Sequence, residues 1–275
     1  MILFQEVSMY QEIQEAKTIV IKMGTTCLTH QNGKLNLRKM DQLAQILTDM
    51  QNQGKRVVLV SSGAIGCGMN RLGIKNRLIT LEEKQAVASV GQGLLMEIYQ
   101  RFFSIYHQSI GQILLTKDVF SNEIKRRNAK NTFQVLLEMG SIPIVNENDS
   151  ISTDEIQEEC FGDNDILSAM TAHLVDADLL IILSDVDGLY DKNPNNNEDA
   201  KRIPIVEKVD ADIMRLGGKS ISGLGTGGMI TKVGAAKYAT ERGISTIIAS
   251  GEDVSVLYEV FEKEVGTIFL KQEGA

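Results

Sequence analysis

Residues 18–26 read TIVIKMGTT, an apolar and largely β-branched run that passes into a lysine and a glycine. Such a run predicts a short strand that is buried on both faces, as strands of a parallel sheet are. The end of the strand carries Lys22 and the flexible backbone at Gly24. Residues 57–60 (VVLV) and 178–183 (DLLIIL) repeat the pattern and also lead into polar or glycine-rich loops.

Segments with helical spacing separate the predicted strands. Asn36 is a candidate N-cap for a helix that extends to about Gly54, and Thr80 with Glu83 forms a capping box ahead of a helix to about Tyr106. The other predicted strands lie at residues 113–115, 142–145, 244–249 and 267–270, and a glycine-rich turn lies at 61–68. The other predicted helices lie at 128–139, 166–175 and 254–264, with one more that runs to about residue 241. This alternation predicts an α/β fold, namely a three-layer αβα sandwich with a mostly parallel central sheet.

Length and charge limit the possible functions. The 275 residues contain no linker or shift in composition, so we expect a single domain over residues 1–275. The formal net charge of -8 argues against nucleic acid as a partner, because phosphate backbones select basic surfaces. The local basic run at residues 125–127 is interpreted as a solvated helix face.

The cysteines and the N-terminal residues indicate in which cellular compartment the protein is located. Cys27, Cys67 and Cys160 are odd in number and widely spaced, which indicates idle thiols rather than a disulfide framework or a zinc site. The first 16 residues lack the basic and apolar regions of a signal peptide, and no run reaches the roughly 18 apolar residues of a membrane helix. We therefore expect a soluble, cytoplasmic protein that does not bind a membrane.

Residues 223–232 read GLGTGGMITK and precede a predicted helix. A glycine-dense loop lets backbone N–H groups approach an anion, and the start of a helix adds unpaired donors and a favourable dipole. Lys232 would lie about one turn into that helix, where it could reach a terminal phosphate. The loop is therefore predicted to bind phosphate, and a surface loop without a ligand is the alternative.

The same loop also matches the spacing of the dinucleotide fingerprint through Gly223, Gly225 and Gly228. That fingerprint requires a strand immediately before it and an acidic residue about 20 positions later. Residues 215–222 do not have the pattern of a strand, and residues 248–250 read IAS. A dinucleotide-dependent oxidoreductase is therefore disfavoured.

Several polar strand ends should meet at one edge of the sheet, because ligands of α/β proteins bind at the carboxyl ends of the strands. The clusters are at residues 22–24, 61–63, 146–149 and 184–185, with the loop around Gly225 nearby. Together they offer two lysines, several carboxylates and glycine-rich backbone. Such a set suits phosphoryl transfer, which depends on cations placed around the migrating group. Neither a Ser–His–acid order nor a transition-metal spacing is evident.

Six sequence blocks carry a resemblance to a known family. They are VIKMGT at 20–25, VSSGA at 60–64, IPIVNEND at 142–149, FGDND at 161–165, SDVDGLY at 184–190 and GTGGM at 225–229. Each block is weak alone, but together they follow the family's order. The chain resembles the amino-acid kinase superfamily, and most closely those members that phosphorylate glutamate.

The resemblance implies ATP-dependent phosphorylation of the side-chain carboxylate of L-glutamate to γ-glutamyl phosphate, the first step of proline biosynthesis. It implies that Lys22 and Lys232 neutralise the phosphoryl group in transit and that Asp165 orients both lysines. A glutamate side chain, with a pKa of about 4.3, is already an anionic nucleophile, so no general base is needed. The implied glutamate-binding residues are Ser62, Gly63, Ala64, Asp149 and Asn164. The implied ATP-binding residues are Lys22, Ser184, Asp185, Thr226, Gly227, Gly228, Met229, Ile230, Thr231 and Lys232.

The resemblance also implies partners and leaves alternatives. Mg²⁺ is expected to accompany ATP, with no side chain assigned as its ligand. Feedback inhibition by proline, coupling to glutamyl-phosphate reductase and a homo-oligomeric state are further expectations. Many relatives carry a C-terminal RNA-binding-like domain, which we do not expect here because the sequence stops at Ala275. A sister kinase acting on N-acetylglutamate or aspartate, and a non-catalytic regulator that binds an amino acid or a nucleotide, remain the alternatives.

Overall fold

The structure is a computed structural model that describes residues 10–30, 32–74, 80–151, 164–194, 196–218 and 228–272. The strands are β1 (Thr18–Met23), β2 (Arg56–Ser61), β3 (Ile110–Leu115), β4 (Ile142–Glu147), β5 (Leu179–Ser184), β6 (Ile205–Val206), β7 (Ser245–Ser250) and β8 (Thr267–Phe269). They form one sheet in the order β3-β4-β2-β1-β5-β7-β8-β6. Every pair of neighbours is parallel except β7 and β8. The predicted α/β class with a mostly parallel sheet is confirmed.

Helices connect the strands. They are α1 (Thr25–Leu28), α2 (Leu37–Asn52), α3 (Ala64–Leu72), α4 (Leu81–Ile105), α5 (Lys117–Ser121), α6 (Glu123–Glu138), α7 (Asn164–Leu174), α8 (Ala211–Leu216), α9 (Met229–Thr240) and α10 (Val256–Glu259). Residues 10–15 are also helical. Although α4 has 25 residues, neither it nor any other helix in the described ranges has the apolar length needed to cross a membrane.

The sheet separates two hydrophobic cores. All six residues of β1 are buried, and they alternate between the two faces of the sheet. Ile19 and Ile21 pack with apolar residues of α2, α4 and α10, whereas Val20 packs with those of α6, α7 and α9. Helices therefore cover both faces, which gives the predicted three layers. Lys22 lies on the same side of β1 as Val20, and its side chain points toward α7 and α9.

Both predicted helix starts are confirmed. The side chain of Asn36 accepts a hydrogen bond from the backbone N–H of Lys39 at 3.1 Å. Thr80 and Glu83 form the reciprocal capping box, in which each side chain bonds the other residue's backbone N–H.

The predicted turn at residues 61–68 is wrong beyond Gly63, because α3 begins at Ala64. Within this helix Gly68 serves close packing instead of a turn, as does Gly91 in the facing helix α4. A Cβ atom at Gly68 would lie 2.0 Å from the carbonyl oxygen of Val87, and one at Gly91 would lie 1.7 Å from that of Ala64. The two glycines therefore let α3 and α4 approach through their backbones.

The C-terminal region also departs from the predictions. The helix predicted at residues 254–264 is regular only over α10, because the backbone N–H groups of Phe261 and Glu262 bond the third residue back rather than the fourth. The short elements β6 and α8 were not predicted. Strand β8 runs antiparallel to β7 after a reversal at Gly266, whose φ is +68°.

Candidate active site

Four adjacent strands bring their carboxyl ends together. Strands β4, β2, β1 and β5 are neighbours in the sheet and parallel, so their last residues lie along one edge. Lys22 lies near the end of β1, Ser62 directly follows β2, Asn146 lies near the end of β4, and Ser184 is the last residue of β5. The polar strand ends chosen from the sequence therefore share one edge.

A buried ionic cluster lies at this edge. The Nζ atom of Lys22 is 2.5 Å from Oδ1 of Asp165, and Nζ of Lys232 is 3.1 Å from Oδ2 of the same carboxylate. The hydroxyl of Thr231 donates a hydrogen bond to Oδ2 at 2.9 Å. Asp165 is 0% exposed, Lys22 5% and Lys232 6%. Strand β1 supplies the first lysine, α7 the carboxylate and α9 the second lysine.

The two lysines stabilise the ionised form of Asp165. Burial alone would raise the pKa of this carboxyl group, but the adjacent ammonium groups of Lys22 and Lys232 hold its pKa below the usual value. The formal charges of these three groups sum to plus one. Desolvated cations arranged in this way favour an anion next to them, and little reorganisation is needed when it arrives.

Asn164 begins α7 and connects the ends of two strands, β2 and β4. Its Nδ2 atom donates to Oγ of Ser62 at 2.8 Å and to Oδ1 of Asn146 at 3.0 Å. The backbone N–H of Glu147 also donates to Oδ1 of Asn146, at 2.9 Å. On the other side, Nδ2 of Asn146 donates to Oε1 of Gln92 at 2.9 Å. Ser62, Asn146 and Asn164 thus form one hydrogen-bonded group.

The turn after β2 exposes a helix N-terminus at the same edge. Gly63 has a φ of +106°, a backbone conformation that glycine adopts without the strain a side chain would cause. Gly63 occupies the N-cap position of the nine-residue helix α3. It has no side chain that could accept a hydrogen bond from the first N–H groups of the helix. Ser62, Gly63 and Ala64 together offer a hydroxyl and backbone donors, which suit a carboxylate.

Asp149 follows β4 and has an unusual proton affinity. Burial, with a smaller contribution from the nearby Glu147 carboxylate, raises the pKa of Asp149 to about 7. A half-buried carboxyl group of this kind gains from a cationic partner, because an ammonium group would offset both effects. The side chain is therefore suited to bind an amine.

The opposite part of the edge holds the residues assigned to the nucleotide. Ser184 is buried, and its hydroxyl donates to Oδ1 of Asp185 at 3.0 Å, whereas Asp185 itself is exposed. Gly228 precedes α9 without a side-chain cap, so that the backbone N–H groups of Met229 and Ile230 start the helix that carries Lys232. Thr226, Gly227 and the preceding glycines lie outside the described residues, as do residues 152–163.

The side chains at this edge indicate how a metal ion could bind there. Among the described residues, no group of three or more His, Cys, Asp or Glu side chains could hold one. Mg²⁺ commonly binds one or two carboxylates and the phosphates of a substrate, and it keeps several water ligands. The site therefore fits a Mg²⁺ ion that arrives on a nucleotide better than one held by the protein alone.

Two of the residues in this arrangement were not among the predicted site residues. Asn146 belongs to the polar strand end that the sequence singled out, so its place in the sequence was a usable signal. Gln92 lies in the middle of α4, where a single polar residue among apolar ones gave no indication of a site. Within the described part of the chain, its hydrogen bond with Asn146 connects it to this edge of the sheet.

Comparison with known proteins identifies what the chain is similar to. Residues 17–250 match the sequence model of the amino acid kinase family. The chain is 49% identical to the glutamate 5-kinase of Clostridium perfringens over 97% of this chain and 100% of the relative. It is 46% identical to that of Enterococcus faecalis over 96% of this chain and 98% of the relative.

Solved structures share the fold at lower identity. A carbamate kinase from Giardia lamblia superposes with a TM-score of 0.65 at 16% identity, covering 94% of this chain and 100% of its own. A UMP kinase from Bacillus anthracis superposes with a TM-score of 0.61 at 15% identity, covering 94% and 97%. At these identities the similarity shows the fold alone.

Proposed function

The chain belongs to the amino acid kinase family, and we propose that it acts as a glutamate 5-kinase, transferring the γ-phosphoryl group of ATP to the side-chain carboxylate of L-glutamate. The observation that carries the proposal is the pair of buried lysines held on opposite oxygens of Asp165 at the ends of the strands. The similarity to curated glutamate 5-kinases along nearly the whole chain supports the choice of acceptor.

The reaction brings two anions together. A carboxylate oxygen of glutamate attacks the γ-phosphorus, the bond to the bridging oxygen of ADP breaks, and γ-glutamyl phosphate and ADP leave. No proton has to move, because the glutamate side chain is ionised at neutral pH. The electrostatic repulsion between the reactants is the main obstacle, and we assign its reduction to Lys22 and Lys232. Asp165 keeps both ammonium groups in place.

We assign the acceptor to the side of the site formed by β2 and β4. The hydroxyl of Ser62 and the N–H groups at Gly63 and Ala64 would bind a carboxylate of glutamate. Asp149 would bind the α-ammonium group, which its raised pKa favours. Asn164, which donates to Ser62, would fix the position of that hydroxyl.

We assign ATP to the side formed by β5 and the start of α9, where Ser184, Asp185 and residues 226–232 would contact it. The phosphates would approach the N-terminus of α9 and Lys232. Bound Mg²⁺, held by phosphate oxygens and water, would supply further positive charge around the γ-phosphate.

A kinase of the same family that acts on N-acetylglutamate is the second candidate. Acetylation removes the positive charge of the amino group, and Asp149 would then face a neutral amide without compensation for its burial. The geometry around Asp149 therefore favours an acceptor with a free ammonium group. A non-catalytic regulator is disfavoured because both lysines and Asp165 form a cluster suited to phosphoryl transfer.

A hydroxamate assay tests the proposal. The protein is incubated with ATP, Mg²⁺, hydroxylamine and either L-glutamate, N-acetylglutamate or L-aspartate, and the acyl hydroxamate is measured. We expect γ-glutamyl hydroxamate from L-glutamate and little product from the other acceptors. Product from N-acetylglutamate or aspartate alone would assign a sister kinase, and no product despite measurable ATP binding would support the regulator.

The proposal has consequences for partners. The acyl phosphate would require a reductase as the next enzyme of proline biosynthesis, and proline would act as a feedback inhibitor. We further propose a cytoplasmic homo-oligomer in which residues 1–275 of each subunit form one amino acid kinase domain. Gel filtration with light scattering, and the assay above repeated with proline, test the assembly and the inhibition.

A further inference from the structure

Gln92 is a buried amide whose hydrogen bond to the candidate site, among the residues that the structure describes, is made through the side chain of Asn146. It is 8% exposed, lies in the middle of α4, and accepts a hydrogen bond from Nδ2 of Asn146 through Oε1. We propose that Gln92 is a positioning residue for the acceptor substrate, acting through Asn146 and Asn164 on the hydroxyl of Ser62. This inference rests on the proposed function, since glutamate is the acceptor that Ser62 is assigned to bind.

The hydrogen bonds that join Gln92, Asn146, Asn164 and Ser62 each have a defined donor and acceptor. The amide nitrogen of Asn146 donates to Gln92, so its amide oxygen is turned toward Asn164 and the N–H of Glu147. Both polar hydrogens of Asn164 Nδ2 can then be used, one for Asn146 and one for Oγ of Ser62. Because Ser62 accepts from Asn164, its own hydroxyl hydrogen is left to donate to a ligand.

The acceptor oxygen of Gln92 supports this polarity. If the Asn146 amide were rotated by half a turn, its NH₂ group would face the N–H of Glu147 and the NH₂ of Asn164. Its oxygen would at the same time face Oε1 of Gln92. Donors would oppose donors and an acceptor would oppose an acceptor. A substrate carboxylate needs a donor at Ser62. The order of donors that the backbone N–H of Glu147 fixes, and that Oε1 of Gln92 completes by accepting from Asn146, therefore matches an anionic acceptor.

The amide of Gln92 is poorly explained as a stabilising feature. Its Nε2 atom is buried and has no hydrogen-bond partner among the residues that the structure describes. A buried polar group without a partner lowers stability, and an apolar side chain of similar size would avoid that loss. The hydrogen bond to Asn146 is thus the contribution of this side chain that an apolar residue could not make.

Gln108 provides a matched control. It is also a glutamine with 8% exposure, but its Nε2 atom donates to the backbone oxygens of Ser109 and Gly140, at 2.9 and 2.7 Å. These carbonyls lie at the start of β3 and after α6, away from the carboxyl ends of the strands. Gln108 therefore has a structural role without a connection to the group around Asn164.

The experiment compares Gln92→Met with Gln108→Met in the full chain, using the hydroxamate assay and thermal unfolding. Loss of the neutral hydrogen bond between Asn146 and Gln92 should raise the glutamate KM of Gln92→Met about tenfold. The kcat and the ATP KM should stay within about twofold of those of the parent protein. Gln108→Met should lower Tm and leave the glutamate KM unchanged. Gln92→Glu, which keeps an acceptor oxygen for Asn146, should have a glutamate KM closer to that of the parent.

A double-mutant cycle tests whether Gln92 affects glutamate binding through Ser62 or independently of it. If Gln92 acts through Ser62, combining Gln92→Met with Ser62→Ala should raise the glutamate KM no further than Ser62→Ala alone. An unchanged glutamate KM in folded Gln92→Met, or additive effects in the cycle, would overturn the inference. Gln92→Leu replaces the Met variant if the latter does not fold. If the parent protein uses another acceptor, the proposed function fails, and the same variants test Gln92 through the KM of that acceptor.

Discussion

Lys22 and Lys232 bind opposite oxygens of a single buried carboxylate. The first lies in a strand and the second in a helix more than 200 positions later, yet Asp165 holds Nζ of Lys22 at 2.5 Å and Nζ of Lys232 at 3.1 Å. Asp165 cannot be removed without leaving two buried cations close to each other. The cluster is therefore both a structural element and the proposed centre of phosphoryl transfer.

Replacing Lys232 should impair the chemical step. We expect Lys232→Ala to lower kcat about 100- to 1,000-fold, because its ammonium group would stabilise charge that develops in the transition state. The glutamate KM should change little, since the lysine is assigned to the phosphoryl group. Lys237→Ala is the control: this partly exposed lysine of the same helix pairs with Glu241, and its replacement should leave kcat unchanged. A nearly normal kcat for Lys232→Ala would contradict the assigned role.

Replacing Asp165 should destabilise the protein. Asp165→Asn leaves buried lysines without their carboxylate, and we expect the free energy of unfolding to fall by about 3–5 kcal/mol. Urea denaturation followed by circular dichroism measures this change. Asp118→Asn is the control, because Asp118 pairs with Lys125 at the surface, where both are more than half exposed, and its loss should have little effect. Equal stability losses in the two variants would argue against a tightly coupled cluster.

Glutamate binding should depend on pH through Asp149. The pKa of this group is about 7 in the ligand-free protein, so the carboxyl is increasingly protonated below that pH and no longer attracts an ammonium group. We expect kcat/KM for glutamate to fall about tenfold per pH unit below pH 7 and to level off above it. In Asp149→Asn, kcat/KM should be low and should lose this dependence. An identical pH profile in that variant would assign the titration to another group.

Asp149 should also affect stability, with a sign that follows from its raised pKa. Between about pH 4 and pH 7 the folded protein retains a proton that the unfolded chain has lost. The contribution of Asp149 to stability is therefore greatest at low pH and is lost as the pH rises through about 7. We expect Asp149→Asn to have a higher Tm than the parent at pH 8, and the difference to shrink toward pH 4. A constant difference in Tm across this range would contradict the raised pKa.

A substitution in α4 at its contact with α3 should weaken the binding of glutamate. A Cβ atom at Gly91 would overlap the carbonyl oxygen of Ala64, the first residue of α3, at 1.7 Å. We expect Gly91→Ala to destabilise the protein by about 1–3 kcal/mol through overpacking and to raise the glutamate KM, since Ala64 adjoins the turn assigned to glutamate. Gly93→Ala, on the same helix, is the control. Its Cβ atom would meet nothing within 4 Å, so that variant should be about 0.5–1 kcal/mol more stable than the parent. The two variants can be compared by thermal unfolding and by the hydroxamate assay.

Much of this architecture follows from the sequence. Short apolar runs such as residues 18–21 predict buried strands, because a strand that is covered on both faces requires apolar and β-branched residues. The caps at Asn36 and Thr80 depend on side chains within three positions of the bonded N–H, so local sequence suffices to predict them. The order of strands and helices then places Lys22, Ser62 and Ser184 at one edge of the sheet.

Only the tertiary structure could decide which side chains meet. The hydrogen bond between Gln92 and Asn146 joins residues 54 positions apart, and no periodicity in the sequence marks it. The start of α3 at Ala64 follows from close packing against α4, which overrides the turn preference of its glycines. The raised pKa of Asp149 arises from burial and a neighbouring carboxylate, neither of which a residue's type specifies. Sequence patterns determine local conformation and the faces that are buried, whereas contacts, desolvation and charge pairing depend on distances that exist only after the chain has folded.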